Sequence, residues 1–175
     1  MSHSINVRDA TSEDAAAIAT LGAHVFSTTF GYSVSPEDLS AFLEENYSTT
    51  AIAKDLANPA RDMIVATTAE DIITGFAILA RETHEPCVEH LESKIELQRI
   101  YVDPAHHGNG VGKALAKRIE DMAREQGYVN MWLGVWEDNH KAQKVYEKLG
   151  YKVIGDHDFV IGRDIQTDHI MLKSL

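Results

Sequence analysis

Cysteine is almost missing from this chain. Its 175 residues include 1, Cys87, which excludes an internal disulfide and most cysteine-based metal sites. Basic charge is scarce as well. Only 16 lysines and arginines stand against 27 aspartates and glutamates, a formal net charge of −11. Nucleic-acid binding needs a face basic enough to neutralise phosphates, so it is not expected as the main function. No apolar run is long enough to span a membrane. Met1-Ser2-His3-Ser4 is not the basic-then-apolar start of a secretory signal. Repeats, low-complexity tracts and linkers are lacking too. One domain over residues 1–175 is expected, in the reducing cytoplasm, with neither nucleic acid nor membrane as partner.

What is there is the composition of an ordinary globular protein, 44% hydrophobic and 25% charged, long enough to bury a sizeable core. The acidity favours cationic partners through long-range steering, although solubility alone would account for it.

Ile5-Asn6-Val7-Arg8 reads as a first strand. Thr11-Ser12-Glu13-Asp14 supplies capping and acidic first-turn residues for a helix to about Phe26, with Ala17, Ile18, Leu21 and Val25 at helical spacing. Residues 29–33 read as a break. Ser35-Pro36-Glu37-Asp38 starts a second helix with proline at its first position, and Leu39, Phe42 and Leu43 form its buried stripe. A short helix follows over 50–56. Residues 63–67 and 72–79 read as strands joined by a turn near Glu70-Asp71, and Gly75 marks a bulge or a close approach. A loop over 83–94 leads to a strand over 95–102. A helix over 111–126 presents Val111, Leu115, Ile119 and Met122 on one face and stops at Gly127. A strand over 130–136 precedes a helix capped by Asp138-Asn139 and ended by Gly150. Strands at 151–154, 158–161 and 168–172 complete the chain, with Asp156-His157-Asp158 in a turn. This order predicts an α/β fold with a largely antiparallel sheet and one parallel central crossover.

The most telling stretch runs from Val102-Asp103-Pro104 through His106-His107-Gly108-Asn109-Gly110-Val111-Gly112-Lys113. A strand feeds a loop with glycines at alternate positions, and a helix follows at once. Glycines there let backbone N–H groups converge at the positive end of a helix dipole, a site for phosphate or pyrophosphate. A P-loop is excluded, because residue 107 is His and residue 114 is Ala, so no hydroxyl is present for magnesium. A dinucleotide fingerprint fails because its third glycine would fall on Lys113.

Val102-x-Pro104-x-x-His107-x-x-Gly110-x-Gly112 resembles motif A of the GNAT superfamily of acyl-CoA N-acyltransferases, whose core pattern is Gln/Arg-x-x-Gly-x-Gly/Ala. Asn139-x-x-Ala142-x-x-x-Tyr146-x-x-x-Gly150-Tyr151 resembles motif B of the same family. One departure is His107, which stands at the Gln/Arg position. The resemblance covers nearly the whole chain. It implies the GNAT fold: a six- or seven-stranded, mostly antiparallel sheet with central parallel splayed strands and about four helices. It also implies acetyl-CoA as cosubstrate, with the amides of His107, Gly108, Asn109, Gly110, Val111, Gly112 and Lys113 on its pyrophosphate. The backbone of Ile100, Tyr101 and Val102 would lie along its pantetheine arm, with the Ile100 amide polarising the thioester carbonyl. Lys113 and Lys117, one turn apart, would reach phosphates or simply be solvated. A homodimer is common in such proteins.

Transfer from a thioester to an amine needs a held cosubstrate, a neutral amine, a stabilised oxyanion and a proton for the thiolate. Tyr146 is the candidate acid, since a phenol is protonated at neutral pH. It lies two turns from Asn139 on one helical face; Asn139 would cap the helix and meet the cosubstrate arm. Glu96 is the candidate base, acting through water. Strict alternation would put residues 96, 98, 100 and 102 on one face, the cofactor-facing one. His106 and His107 are adjacent, a poor metal-ligand spacing, so no metal is expected. Cys87 has no activating partner, and direct transfer needs no cysteine nucleophile.

The segments around Val25–Leu39, Glu96–Val102 and Asp168–Met171 look like those of PaiA-type polyamine acetyltransferases. That resemblance implies an acceptor wall built from the first helical hairpin, with Phe30 and Tyr32 lining it. It also implies a spermidine- or spermine-like amine whose distal ammonium groups would meet Glu37, Glu44 and Glu45. The alternatives are a protein N-terminal or lysine acetyltransferase and a non-catalytic CoA-binding domain.

Overall fold

The computed structural model describes residues 4–175. Strands β1 (Asn6–Asp9), β2 (Arg61–Thr67), β3 (Ile73–Ala80), β4 (Lys94–Val102), β5 (Asn130–Trp136), β6 (Lys152–Ile161) and β7 (Asp164–Ser174) form one sheet in the order β1-β2-β3-β4-β5-β7-β6. The helices are α1 (Ala15–Phe30), α2 (Pro36–Tyr47), α3 (Thr49–Ala57), α4 (Val111–Glu125) and α5 (His140–Lys148). None of the described helices is long and apolar enough to cross a membrane.

Every strand pair is antiparallel except β4 with β5. That parallel pair is short, joining Lys94–Glu96 to Asn130–Trp132. Beyond it the two strands part, and the wedge between them is where the site forms.

Strands β2 and β3 carry near-continuous apolar runs because both their faces are covered. Ile64 and Ala77 pack with Leu115 and Ile119 of α4 on one face. Their neighbours Val65 and Phe76 turn to the other, against Ile18 and Phe26 of α1 and Ile52 of α3. Each of the larger side chains, the Val, Leu, Ile and Phe residues, contributes about 1.5–3 kcal/mol by its burial. Gly75 sits where β3 passes under α4. A Cβ there would stand 2.9 Å from the Tyr101 carbonyl oxygen and 3.0 Å from Leu115. The adjacent register shift leaves Thr74 bulged, since Ala66 pairs Gly75 and Thr67 pairs Ile73.

Three elements differ from the sequence reading. Ser12–Asp14 forms a 3-10 turn, so α1 begins at Ala15. The Asp14 carboxylate accepts from the Thr11 amide at 2.7 Å and pairs with Arg8 at 2.8 Å, which ties this turn to β1. At its other end α1 continues to Phe30, whose ring stacks on Phe26 with centroids 4.6 Å apart and carries the helix one turn farther. The third difference is β6, which is one strand through Asp156-His157-Asp158, not two strands with a turn. Polar residues held by neighbours stand in a strand here: Thr167 donates to Asp158 at 2.8 Å, and His169 meets Asp156 at 2.6 Å. The turn lies later, at Gly162-Arg163, where Ile161 pairs Asp164 and Gly162 has φ 61°, as a two-residue hairpin requires. That hairpin docks on α2, with the Arg163 amide 3.4 Å from an Asp38 carboxylate oxygen. A Cβ on Gly162 would collide with Asp38.

Candidate active site

A cavity of about 610 Å³ opens where β4 and β5 part. One end is the glycine loop. Gly108 and Gly110 have φ of 80° and 84°, the left-handed region that favours glycine. Among the described residues, no protein acceptor is found for the amides of residues 108–113. These orphan donors sit at the positive end of α4. Lys113 and Lys141 line the same end. The donor set of free amides and two ammonium groups fits an anion such as a pyrophosphate.

His107 fixes the start of the loop. Its Nε2 lies 3.1 Å from the Val102 carbonyl oxygen and its Nδ1 3.4 Å from Lys141 Nζ. A carbonyl only accepts and an ammonium only donates, so the ring carries its proton on Nε2. Asn139 caps α5, accepting from the Ala142 amide at 3.2 Å, and lines the cavity. Lys117 is bonded to Asp121 at 2.9 Å and is solvated. Asn109 is exposed and does not line the cavity.

Strand β4 forms one wall through Ile100, Tyr101 and Val102. Strict alternation fails along it. Leu79 pairs Leu97 while Ile78 pairs Arg99, so Gln98 is an extra, bulged residue. Ile95, Leu97, Ile100 and Val102 therefore share the α4 face, and Tyr101 takes the opposite one. Glu96 is accordingly not on the face of Ile100 and Val102, as alternation had placed it. It pairs with Trp132 below the wedge and does not line the cavity. Burial pushes its carboxyl up to about 7, with Thr83, Arg61 and Arg99 pulling the other way.

Tyr146 does reach the cavity. Its ring packs edge-on against Tyr151, centroids 5.9 Å apart. Burial raises its phenol above the ordinary value, and nearby Tyr101 adds to this, so the group is protonated at neutral pH. The Tyr101 hydroxyl is bonded to that of Tyr47 at 2.7 Å, and Arg99 stacks over the Tyr47 ring at 4.8 Å.

The far end is aromatic. Phe30 lines it and lies 4.9 Å from Trp136. Tyr32 stays on the rim, 76% exposed, with its ring 5.8 Å from Trp136. Phe26, Phe42 and Phe159 also line this end; Phe42 reads in the sequence as part of a buried stripe and Phe26 only as the end of the first helix. Asp168 of β7 is the site residue that sequence reasoning passed over. Burial raises its carboxyl to about 6, moderated by His157 and His169. In the sequence it is one of several polar residues along a mixed terminal strand, Asp164–Ser174, with nothing local to set it apart from Asp164 or His169. Glu37, Glu44 and Glu45 are exposed and do not line the cavity.

Comparison with known proteins agrees with this geometry. Residues 25–151 match the acetyltransferase (GNAT) family. An uncharacterized N-acetyltransferase of Mycobacterium tuberculosis is 30% identical over 162 residues, 93% of this chain and 98% of that one. The crystal structure of a PaiA N-acetyltransferase from Thermoplasma acidophilum in complex with coenzyme A superposes with a TM-score of 0.77 at 24% identity, covering 98% of this chain and 99% of the other. The yncA acetyltransferase structure from Salmonella typhimurium, with its cofactor acetyl-CoA, gives 0.67 at 23% identity, over 98% and 94%.

Proposed function

Since the chain belongs to the GNAT family and is an acetyl-CoA-dependent acetyltransferase, we propose that it moves the acetyl group directly to a primary amine of a small molecule within a ternary complex. One observation carries this reading. The unpartnered amides of residues 108–113 and the β4 edge left free beyond Glu96 lead along one cavity to the Tyr146 phenol.

In this reading the glycine-loop amides, Lys113 and Lys141 hold the cosubstrate's phosphates, and Asn139 flanks its arm. Acetyl-CoA supplies an activated acyl group with a good thiolate leaving group. The Ile100 amide polarises the thioester carbonyl, an oxyanion-type contact. Tyr146 gives a proton to the departing sulfur. Glu96, being outside the cavity, takes part only through water.

A polyamine such as spermidine or spermine is the acceptor we propose to test first. The net charge of −11 and the α1–α2 wall of the cavity support it; the exposed positions of Glu37, Glu44 and Glu45 do not. The experiment is thiol release from acetyl-CoA with spermidine, 2-phenylethylamine and a short peptide bearing a free N-terminus and a lysine, beside calorimetry with acetyl-CoA. Release with either small amine supports the proposal. Release with the peptide alone makes the chain a protein acetyltransferase, and binding without release makes it a non-catalytic CoA-binding domain.

A further inference from the structure

The carboxylate of Asp168 faces the cavity without a protein donor. It belongs to β7, opposite Trp136 of β5 and His157 of β6. The side chain crosses β5 at Gly134, where a Cβ would lie 3.0 Å from Oδ2. Any side chain at 134 would contest the space this carboxylate takes. Among the described residues lining the cavity it is the one carboxylate, and no hydrogen bond contributes to its titration. The surrounding walls are Phe26, Phe30, Phe42, Trp136 and Phe159. An ionised carboxylate half out of water and without donors is costly, and its unused acceptor positions call for a ligand that brings N–H groups.

We propose that Asp168 receives the ammonium group of the acceptor as an ion pair and takes its first proton. This rests on the acetyl-transfer reading above. It names the acceptor's chemistry: a cationic primary amine whose nitrogen is flanked by an apolar body that the aromatic walls can cover. The neutral nitrogen then attacks the thioester carbon, so a C–N bond forms and the C–S bond breaks. The nitrogen sheds two protons in all. One goes to Asp168 before attack and on to solvent after product leaves. The other, lost as the tetrahedral centre collapses, restores the proton Tyr146 has given to sulfur.

The charged and titratable groups facing Asp168 are consistent with this role. His157 on β6 and His169 on β7 favour its ionised form, while burial opposes it and brings it to about 6. Tyr101 of β4 is near enough to feel its charge. Tyr146 of α5 and Arg99 of β4 line the same cavity, and α1 and α2 contribute aromatic rings and Tyr47. The carboxyl is thus ionised at neutral pH yet basic enough to accept a proton.

The test compares wild type with Asp168→Asn, Gly134→Ala and Glu96→Gln, using spermidine and 2-phenylethylamine. Asp168→Asn is expected to lower kcat/KM by roughly 100-fold or more, abolish an acidic limb near pH 6 and leave the acetyl-CoA Kd within about twofold. A second readout is stability. The folded carboxyl binds its proton more tightly than the unfolded one, so its contribution to stability falls as pH rises from about 4 through about 6. Asp168→Asn should therefore raise Tm at pH 7.5 and not at pH 4. Gly134→Ala should raise the amine KM, with the acetyl-CoA Kd again unmoved. Wild-type transfer combined with an Asp168→Asn variant of unchanged rate and limb overturns the inference alone, as does loss of the limb only in Glu96→Gln. A wild type that transfers to neither amine overturns the small-amine reading along with it.

Discussion

Replacing Gly110 with alanine isolates the backbone contribution of the glycine loop. The residue has φ 84°, and a Cβ there would meet only Ile5, at 3.9 Å. Steric collision is therefore not the issue, and conformation is. Holding an L-residue in the left-handed region costs about 1–2 kcal/mol. If α4 holds the loop in place, the cost falls on the fold, and a domain of this size loses roughly 2–4 °C of Tm per kcal/mol. If the free loop relaxes, the cost falls on binding and the acetyl-CoA Kd rises about 5- to 30-fold. Titration calorimetry and thermal melts together capture both, and their losses should sum to about 1–2 kcal/mol. Gly110→Asn, which tolerates this conformation, should recover part of the loss. Gly112→Ala is the control. Its φ is helical and its Cβ would rest 3.6 Å from Val102, so Tm should hold or rise. A Gly110→Ala variant with unaltered Tm and Kd would refute the argument that positive φ shapes this cradle.

Tyr146→Phe should lower kcat by roughly 100- to 10,000-fold while acetyl-CoA affinity and Tm stay unchanged, because the phenol has no hydrogen-bond partner among the described residues; a normal turnover number removes it from the chemistry. Gly75→Ala should cost about 1–3 kcal/mol through overpacking, since the Tyr101 carbonyl 2.9 Å away is backbone and cannot swing aside; urea denaturation reads the loss. Arg8 holds the Asp14 carboxyl below its ordinary value through a side-chain hydrogen bond. That stabilisation is present above the unfolded carboxyl's pKa and is lost as pH falls through the lowered folded one. Arg8→Met should therefore cost about 1 kcal/mol near pH 6, and the gap to wild type should close as acid protonates the carboxylate; a gap independent of pH would argue against the pairing.

What the chain announces locally, the fold delivers. Ser35 caps α2 by accepting from the Asp38 amide at 3.2 Å, with Pro36 at the first position. Gly108 and Gly110 take the left-handed conformations their loop requires, and Asn139 caps α5. These signals are short-range, carried by a few adjacent residues. The ends of α1 are misread through near neighbours, Asp14 with Thr11 and Phe30 with Phe26; the other errors depend on partners distant in sequence. Nothing in Leu97-Gln98-Arg99 marks a bulge; it arises from pairing with Ile78 and Leu79, and it alone turns Glu96 off the face of Ile100 and Val102. Asp156-His157-Asp158 reads as a turn until β7 and the 83–94 segment supply partners, among them Glu85, 2.9 Å from His157. Asp168 gains meaning only once Gly134 is beside it.

The docking of the β6–β7 hairpin on α2 reaches beyond stability. Phe42 of α2 and Phe159 of β6 face the cavity from these two elements, and the seam between them closes because residue 162 has no side chain to strike Asp38. A methyl group added there would push the Asp38 carboxylate, the free end of its side chain, off the Arg163 amide and loosen the seam. The spacing of Phe42 and Phe159 thus leans on a contact made outside the cavity, between a hairpin turn and a helix.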